Sequence, residues 1–214
     1  MLGMRVLRFP KREADDALYQ IQRLVPDGEW VTIVSDDRDL LQLVRRTCAV
    51  YRPMAREWVR KDTFESATGV RSRAAFLLLK AIQGDKSDNI NGVPGLGKIR
   101  ARRLLQEIGP RFDELREALP TRLAMKAAVE ALSVKDRWAA RARAHWKTVV
   151  RNLDLVDLRL ETFEEDEERL LELALSSRAL HVRDDVVHEA LGQLEIKSLQ
   201  HSLEEWLRPF LRLR

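Results

Sequence analysis

The run Trp30-Val31-Thr32-Ile33-Val34-Ser35-Asp36-Asp37-Arg38-Asp39-Leu40-Leu41-Gln42-Leu43 decides the fold class. Its first five residues are apolar or β-branched without strict alternation, the pattern of a short strand covered on both faces. Ser35-Asp36 then offers a helix cap, and Leu40, Leu41, Leu43 and Val44 predict a helix running to Arg46. Ala49-Val50-Tyr51 reads as the next strand. Upstream, Val6-Leu7-Arg8-Phe9 reads as a strand closed by Pro10. The apolar residues Ala14, Ala17, Leu18, Ile21, Leu24 and Val25 recur at helical spacing until Pro26-Asp27-Gly28. Strand, helix, strand, helix, strand at this pace is an α/β unit with parallel pairing.

Downstream the strand signals fade. A helix is expected over Ser72–Ile82, a turn-rich segment over Gly84–Lys98, and a short helix over Ile99–Ile108 stopped by Gly109-Pro110. The remainder reads as helical, with breaks near Pro120, near Leu153–Leu160 and near Val182-Arg183-Asp184. A chain of 214 residues is long enough for one to two domains. No window holds 18 uninterrupted apolar residues, so no membrane span is expected. Cys48 is the single cysteine, which excludes a disulfide framework within one chain and points to reducing cytoplasm. His145, His181, His188 and His201 show no ligand spacing.

Charge is unevenly spread. Lys98–Arg151 holds 14 Lys/Arg against 6 Asp/Glu, whereas Asn152–Glu172 holds 2 against 9. A basic block beside an acidic one fits one surface that meets polyanions and one that does not, although two solvated helix faces would look the same. Arg137, Arg141, Arg143, Lys147 and Arg151 recur at helical spacing, as a stripe for a nucleic-acid backbone or as a solvated face. Trp138 and Trp146, eight apart, read as core packing on one face.

Three acidic clusters punctuate this layout: Glu13-Ala14-Asp15-Asp16, Ser35-Asp36-Asp37-Arg38-Asp39, and Gly84-Asp85-Lys86-Ser87-Asp88-Asn89. The first two fall after strands, where open parallel sheets place their ligand sites. Each cluster alone is also what a helix start or a turn contains. Converging carboxylates, however, repel unless a cation offsets them. Hard oxygen donors without Cys or His suit Mg²⁺ or Mn²⁺, and two such ions support phosphodiester hydrolysis. Beside the third cluster, the glycines of Asn91-Gly92-Val93-Pro94-Gly95-Leu96-Gly97-Lys98 permit close backbone approach to a phosphate.

The stretch Gly84–Gly97 closely resembles the signature of the 5′-nuclease (flap endonuclease) family, which includes bacteriophage 5′–3′ exonucleases and the 5′-nuclease domain of DNA polymerase I. The two other acidic clusters match the family's remaining acidic motifs in order, and Leu194-Glu195-Ile196-Lys197-Ser198-Leu199 resembles the last helix of the polymerase domain. The resemblance implies a truncated PIN-like three-layer parallel-sheet core followed by a helix–hairpin–helix (helix–three-turn–helix) DNA-binding region. The corresponding divisions are residues 1–75, 76–151 and 152–214, the last as helices packing on the core.

It further implies a divalent-metal-dependent 5′–3′ exonuclease or flap endonuclease acting in replication or repair on DNA with 5′ ends, flaps or nicks. Glu13, Asp15, Asp37, Asp39, Asp85 and Asp88 would be catalytic, with Asp16 joining them as metal-binding residues. Gly92, Val93, Gly95, Leu96, Gly97, Lys98 and Arg100 would bind DNA. The family's hairpin often holds K⁺ through backbone carbonyls. Family members also carry an N-terminal lobe with two further Asp ligands and a basic arch, which residues 1–12 do not contain. Its absence opens several alternatives: a second chain or self-association supplies the lobe, the site works with fewer ligands, the sequence reflects a start-site or gene truncation, or the chain is a non-catalytic DNA-binding module. The implied location is a bacterial or phage-infected host cytoplasm.

Overall fold

The structure is a computed structural model that describes residues 6–113, 121–131 and 137–176, together with positions 189 and 193. Two compact units form, Glu13–Thr162 and a second built from Met1–Arg12 with Phe163–Arg214. Expectations for Val182–Asp184, for Leu194–Leu199, for Pro120 and for the last three histidines lie outside the described residues.

In the larger unit, α1 (Ala14–Leu24) precedes a three-stranded sheet of β1 (Val31–Val34), β2 (Cys48–Arg52) and β3 (Glu57–Val59) in the order β1-β2-β3. The expected parallel pairing holds for β1 and β2, in the register Val31↔Cys48 to Val34↔Tyr51. The three-residue β3, too short to announce itself, adds on antiparallel, so the sheet is mixed. Among the described residues β1 pairs with β2 alone. Ile33, Cys48, Val50 and Val59 face the core, and Val34 and Trp58 lie exposed on the other face.

Three expectations give way. Val6–Phe9 is not a strand: Val6 is 79% exposed, and Phe9 packs edge-on against Phe163, 5.1 Å between centroids. The helix expected over residues 36–46 is only a 3₁₀ turn, Asp39–Leu43. Leu40, Leu41, Gln42 and Leu43 are all buried, so no face remains for solvent, and Arg45 already bridges to Cys48. Conversely, the helix expected to stop at Ile108 is α4 (Lys98–Asp113), which runs through Gly109-Pro110. A glycine before the proline lacks the Cβ whose clash normally disfavours helix there.

Two further short elements follow β3: α2 (Phe64–Thr68) and then α3 (Arg73–Gln83), the latter capped by Ser72 Oγ accepting from Ala75 N at 3.2 Å. α3 is buried nearly all round, as a helix at the centre of a core must be. The turn-rich segment contains a two-residue hairpin, β4 (Gly84–Asp85) with β5 (Ile90–Asn91). After α4 come α5 (Arg122–Glu130), α6 (Arg137–Ala144) and α7 (Trp146–Val156). A break at His145 divides the single helix expected there, so Trp138 and Trp146 sit on different helices, yet both pack against the core. α3 packs most extensively against α7 and α4.

In the smaller unit, α8 (Glu165–Ser176) buries Leu171, and Arg12 both pairs with Glu167 at 3.0 Å and lies over the Phe163 ring.

Candidate metal centre

The third acidic motif begins where α3 must end. Gly84 terminates α3 at φ +70°, and a Cβ there would collide with the Ile90 carbonyl, so the chain turns at once into the β4–β5 hairpin. This places Asp85 one and a half turns beyond Lys80, with Ser87 N–H donating to Asp85 Oδ1 at 2.9 Å. The second motif leaves the carboxyl end of β1. There Asp37 N–H donates to Ser35 Oγ (3.1 Å) and Asp39 N–H donates to Asp37 Oδ1 (2.8 Å), which fixes the turn.

These two loops meet. Asp39, Asp85 and Asp88 each offer a carboxylate oxygen within 4.8 Å of the others. The Lys80 ammonium lies between two of them, 2.6 Å from Asp39 Oδ1 and in contact with Asp85 Oδ2. The electrostatics follow from this geometry. Lys80 and then Ser87, by hydrogen bonding, pull the Asp85 carboxyl down to about 2. Burial pushes Asp39 above the usual carboxylate range; Lys80 opposes this, while Asp37 and Asp85 reinforce it. Burial alone would depress Lys80, but its bonds to the two carboxylates outweigh that and raise it.

Three carboxylates face one ammonium, and the set contains only hard oxygen donors. That composition fits an oxygen-preferring divalent cation. The carboxylates line a groove of about 610 Å³ that also contains Asp37, while Arg38, Lys86, Lys98 and Arg102 make it basic as well as acidic. Arg102 is anchored by donating from Nη2 to the Thr68 carbonyl at 2.9 Å.

Glu13, Asp15 and Asp16 do not line this groove. They stand at the start of α1, where Asp16 Oδ2 accepts from Glu13 N–H at 3.0 Å. Burial, then the neighbouring Asp16 and Glu13, raise the Asp15 carboxyl despite its backbone hydrogen bonds.

In the glycine turn, Val93 and Leu96 are core residues, 4% and 1% exposed. Val93 N–H donates to the Ile82 carbonyl at 2.7 Å, which ties the turn to α3. Gly92 sits so close to Gln83 that a Cβ has no room. Gly95, Gly97, Lys98 and Arg100 remain exposed along the rim, and Arg100 Nη1 donates to the Gly95 carbonyl at 3.0 Å.

Two residues that position this site carry no motif signal. Asn152, fully buried on α7, donates from Nδ2 to the carbonyls of Ala81 (2.8 Å) and Asn91 (2.9 Å), gripping both ends of the Asp85 loop. Gln42 donates to the Val156 carbonyl at 2.9 Å and accepts from Leu158 N–H at 3.2 Å, tying the Asp39 turn to the end of the same helix. α7 is thus the common anchor of both acid-bearing loops.

No protein-family model matches the chain. It is 36% identical over 115 residues to a 5′–3′ exonuclease of Bacillus subtilis, a match covering 50% of this chain and 37% of that protein. A 5′–3′ exonuclease of Aquifex aeolicus is 36% identical over 110 residues, covering 51% and 38%. DNA polymerase I of Mycobacterium tuberculosis is 28% identical over 216 residues, covering 96% of this chain and 21% of the polymerase. Among solved structures, the bacteriophage T5 5′-exonuclease with bound zinc superposes with a TM-score of 0.59 at 26% identity, covering 76% of this chain and 59% of that one. The T5 flap endonuclease in complex with DNA and metal ions superposes at 0.55 and 24% identity, covering 78% and 56%. No helix among the described residues is long and apolar enough to cross a membrane. The chain spans less than two fifths of the Bacillus subtilis and Aquifex aeolicus exonucleases, and its homologues are 5′–3′ exonucleases and DNA polymerase I.

Proposed function

We propose that this chain forms the divalent-metal site and the DNA grip of a 5′–3′ exonuclease or flap endonuclease. The observation that carries this reading is the convergence of Asp39, Asp85 and Asp88 within 4.8 Å beside a basic, glycine-rich turn. Mg²⁺ or Mn²⁺ would be held by these carboxylates with Asp37 alongside, and would supply a nucleophilic water and charge stabilisation at the scissile phosphate. Lys80, paired with both Asp39 and Asp85, holds the two carboxylates side by side in the groove. Lys98 and Arg102 line the same groove and would hold the phosphate there. The exposed backbone of Gly95 and Gly97 meets the duplex without reading sequence. In finer terms, the reading is a PIN-like core followed by a helix–hairpin–helix turn, with K⁺ held on the turn's carbonyls.

The convergent trio does not include Glu13, Asp15 or Asp16, which favours a second reading, a DNA-binding module that does not cut. One assay separates the two. Purified chain is incubated with 5′-labelled flap and nicked duplexes in Mg²⁺, Mn²⁺ or EDTA. Cleavage that needs metal and disappears in Asp85→Ala supports the nuclease. Salt-sensitive binding without cleavage in either metal leaves the module, and cleavage persisting in EDTA contradicts both.

A further inference from the structure

The indole of Trp138 on α6 gathers two guanidinium groups. Arg100, from α4, lies 4.6 Å from the ring centroid and Arg137 lies 4.2 Å from it. One turn further along α6, Arg141 leans over the backbone of Gly95, so close that a Cβ on Gly95 would strike its guanidinium. Gly95 in turn accepts from Arg100. Three arginines from two helices therefore surround one glycine and one indole at the tip of the turn. All three are exposed, and among the described residues none forms an ion pair with a carboxylate.

Like charges in one patch repel, and the indole quadrupole offsets that only in part. The patch therefore favours an anion. Arg100 and Arg137 are already held over the indole, and Arg100 also by its bond to Gly95, so less of their side-chain freedom is lost when the anion arrives. The Trp138 ring already carries cations, which argues against a platform for stacking unpaired bases. Guanidiniums presented beside bare backbone instead suit bidentate contact with phosphates whose bases are turned away.

We propose that Arg100 and Arg137, braced by Trp138, form with Arg141 a second phosphate clamp for duplex DNA that extends the glycine turn's contact onto α6. The proposal rests on the DNA-binding reading above. It is tested by fluorescence anisotropy without divalent metal, using a duplex and a single strand of equal length from 50 to 200 mM KCl. Arg137→Gln combined with Arg141→Gln is expected to weaken duplex binding at least tenfold and to flatten the salt slope by about 2, two phosphate contacts at roughly 0.9 each. Single-strand binding should change by less than threefold. Arg137→Lys with Arg141→Lys should retain the salt slope and lose several-fold in affinity. Trp138→Leu, with charge intact and measured at a temperature where its melting curve shows it fully folded, should also lose several-fold in affinity. Wild-type slope and affinity in the Gln double variant would overturn the clamp alone. A wild-type chain that binds neither nucleic acid would overturn the clamp together with the reading on which it rests.

Discussion

Asn152 Nδ2 lies 2.9 Å from the Asn91 carbonyl oxygen and 2.8 Å from that of Ala81, so one buried amide on α7 closes the loop that carries Asp85 and Asp88. Leaving the buried Ala81 carbonyl and the part-buried Asn91 carbonyl without this donor costs on the order of 2 kcal/mol. Asn152→Ala should therefore lower the melting temperature by roughly 4–8 °C for a chain of this size. It should also weaken metal binding, because the loop loses its tether. Calorimetry with and without Mn²⁺ reads both, and an undiminished melting temperature would show that the amide does not hold the loop.

Lys80 governs the acid limb of stability at the site. Asp85 has a folded pKa of about 2, below the ordinary 3.8, so its ion pair contributes fully above the unfolded value and that contribution drains away as pH falls toward 2. Asp39 runs the other way: its carboxyl is raised, so its ionisation costs stability as pH climbs through the unfolded value. Lys80→Met removes the ammonium from both. Urea midpoints from pH 2 to 6 should fall less steeply on acidification in this variant than in wild type. Superimposable acid limbs would mean that Lys80 does not hold Asp85 down.

Metal should stabilise the folded chain by mass action, about 2.7 kcal/mol at a hundredfold excess over Kd. Asp39→Asn and Asp88→Asn should each abolish most of the Mn²⁺-induced rise in melting temperature, since both belong to the convergent set. Asp15→Asn should leave the rise intact and slightly stabilise the apo chain, because it relieves repulsion from Asp16 and Glu13 at a partly buried carboxyl. If Asp15→Asn removes the metal effect as thoroughly as Asp39→Asn, the first acidic cluster belongs to the same centre.

The loops that carry the site were legible because their chemistry is written in consecutive residues. Gly84 to Lys98 announces a tight turn, acids and phosphate-facing backbone in one reading, and the structure puts a hairpin and a helix start there. What holds those loops was not legible. Asn152 follows Arg151 in an ordinary amphipathic helix and Gln42 sits among leucines, and each works through partners 61 to 116 residues distant. The same long-range packing explains the misread helix after β1. Leu40 to Leu43 look like one helical face, but a turn buried on every side can be short. Propensity also misled at Gly109-Pro110, where a helix continues past two residues that usually end one.

The glycines of the turn separate folding from binding. Gly84 has φ +70° and no room for a Cβ against the Ile90 carbonyl. Gly84→Ala adds both left-handed strain and a backbone clash, together about 2–4 kcal/mol. Gly97 has an ordinary φ and nothing within 4 Å of a built Cβ, so Gly97→Ala should leave the melting temperature within a degree or two. If Gly97 is bare so that a phosphate can approach its backbone, the added methyl should still weaken duplex binding several-fold. Anisotropy and calorimetry on the two variants make the comparison: Gly84→Ala loses stability, whereas Gly97→Ala loses affinity at constant stability. Full affinity in Gly97→Ala would mean that DNA does not touch this part of the turn, and the grip would then have to lie in the arginines around Gly95.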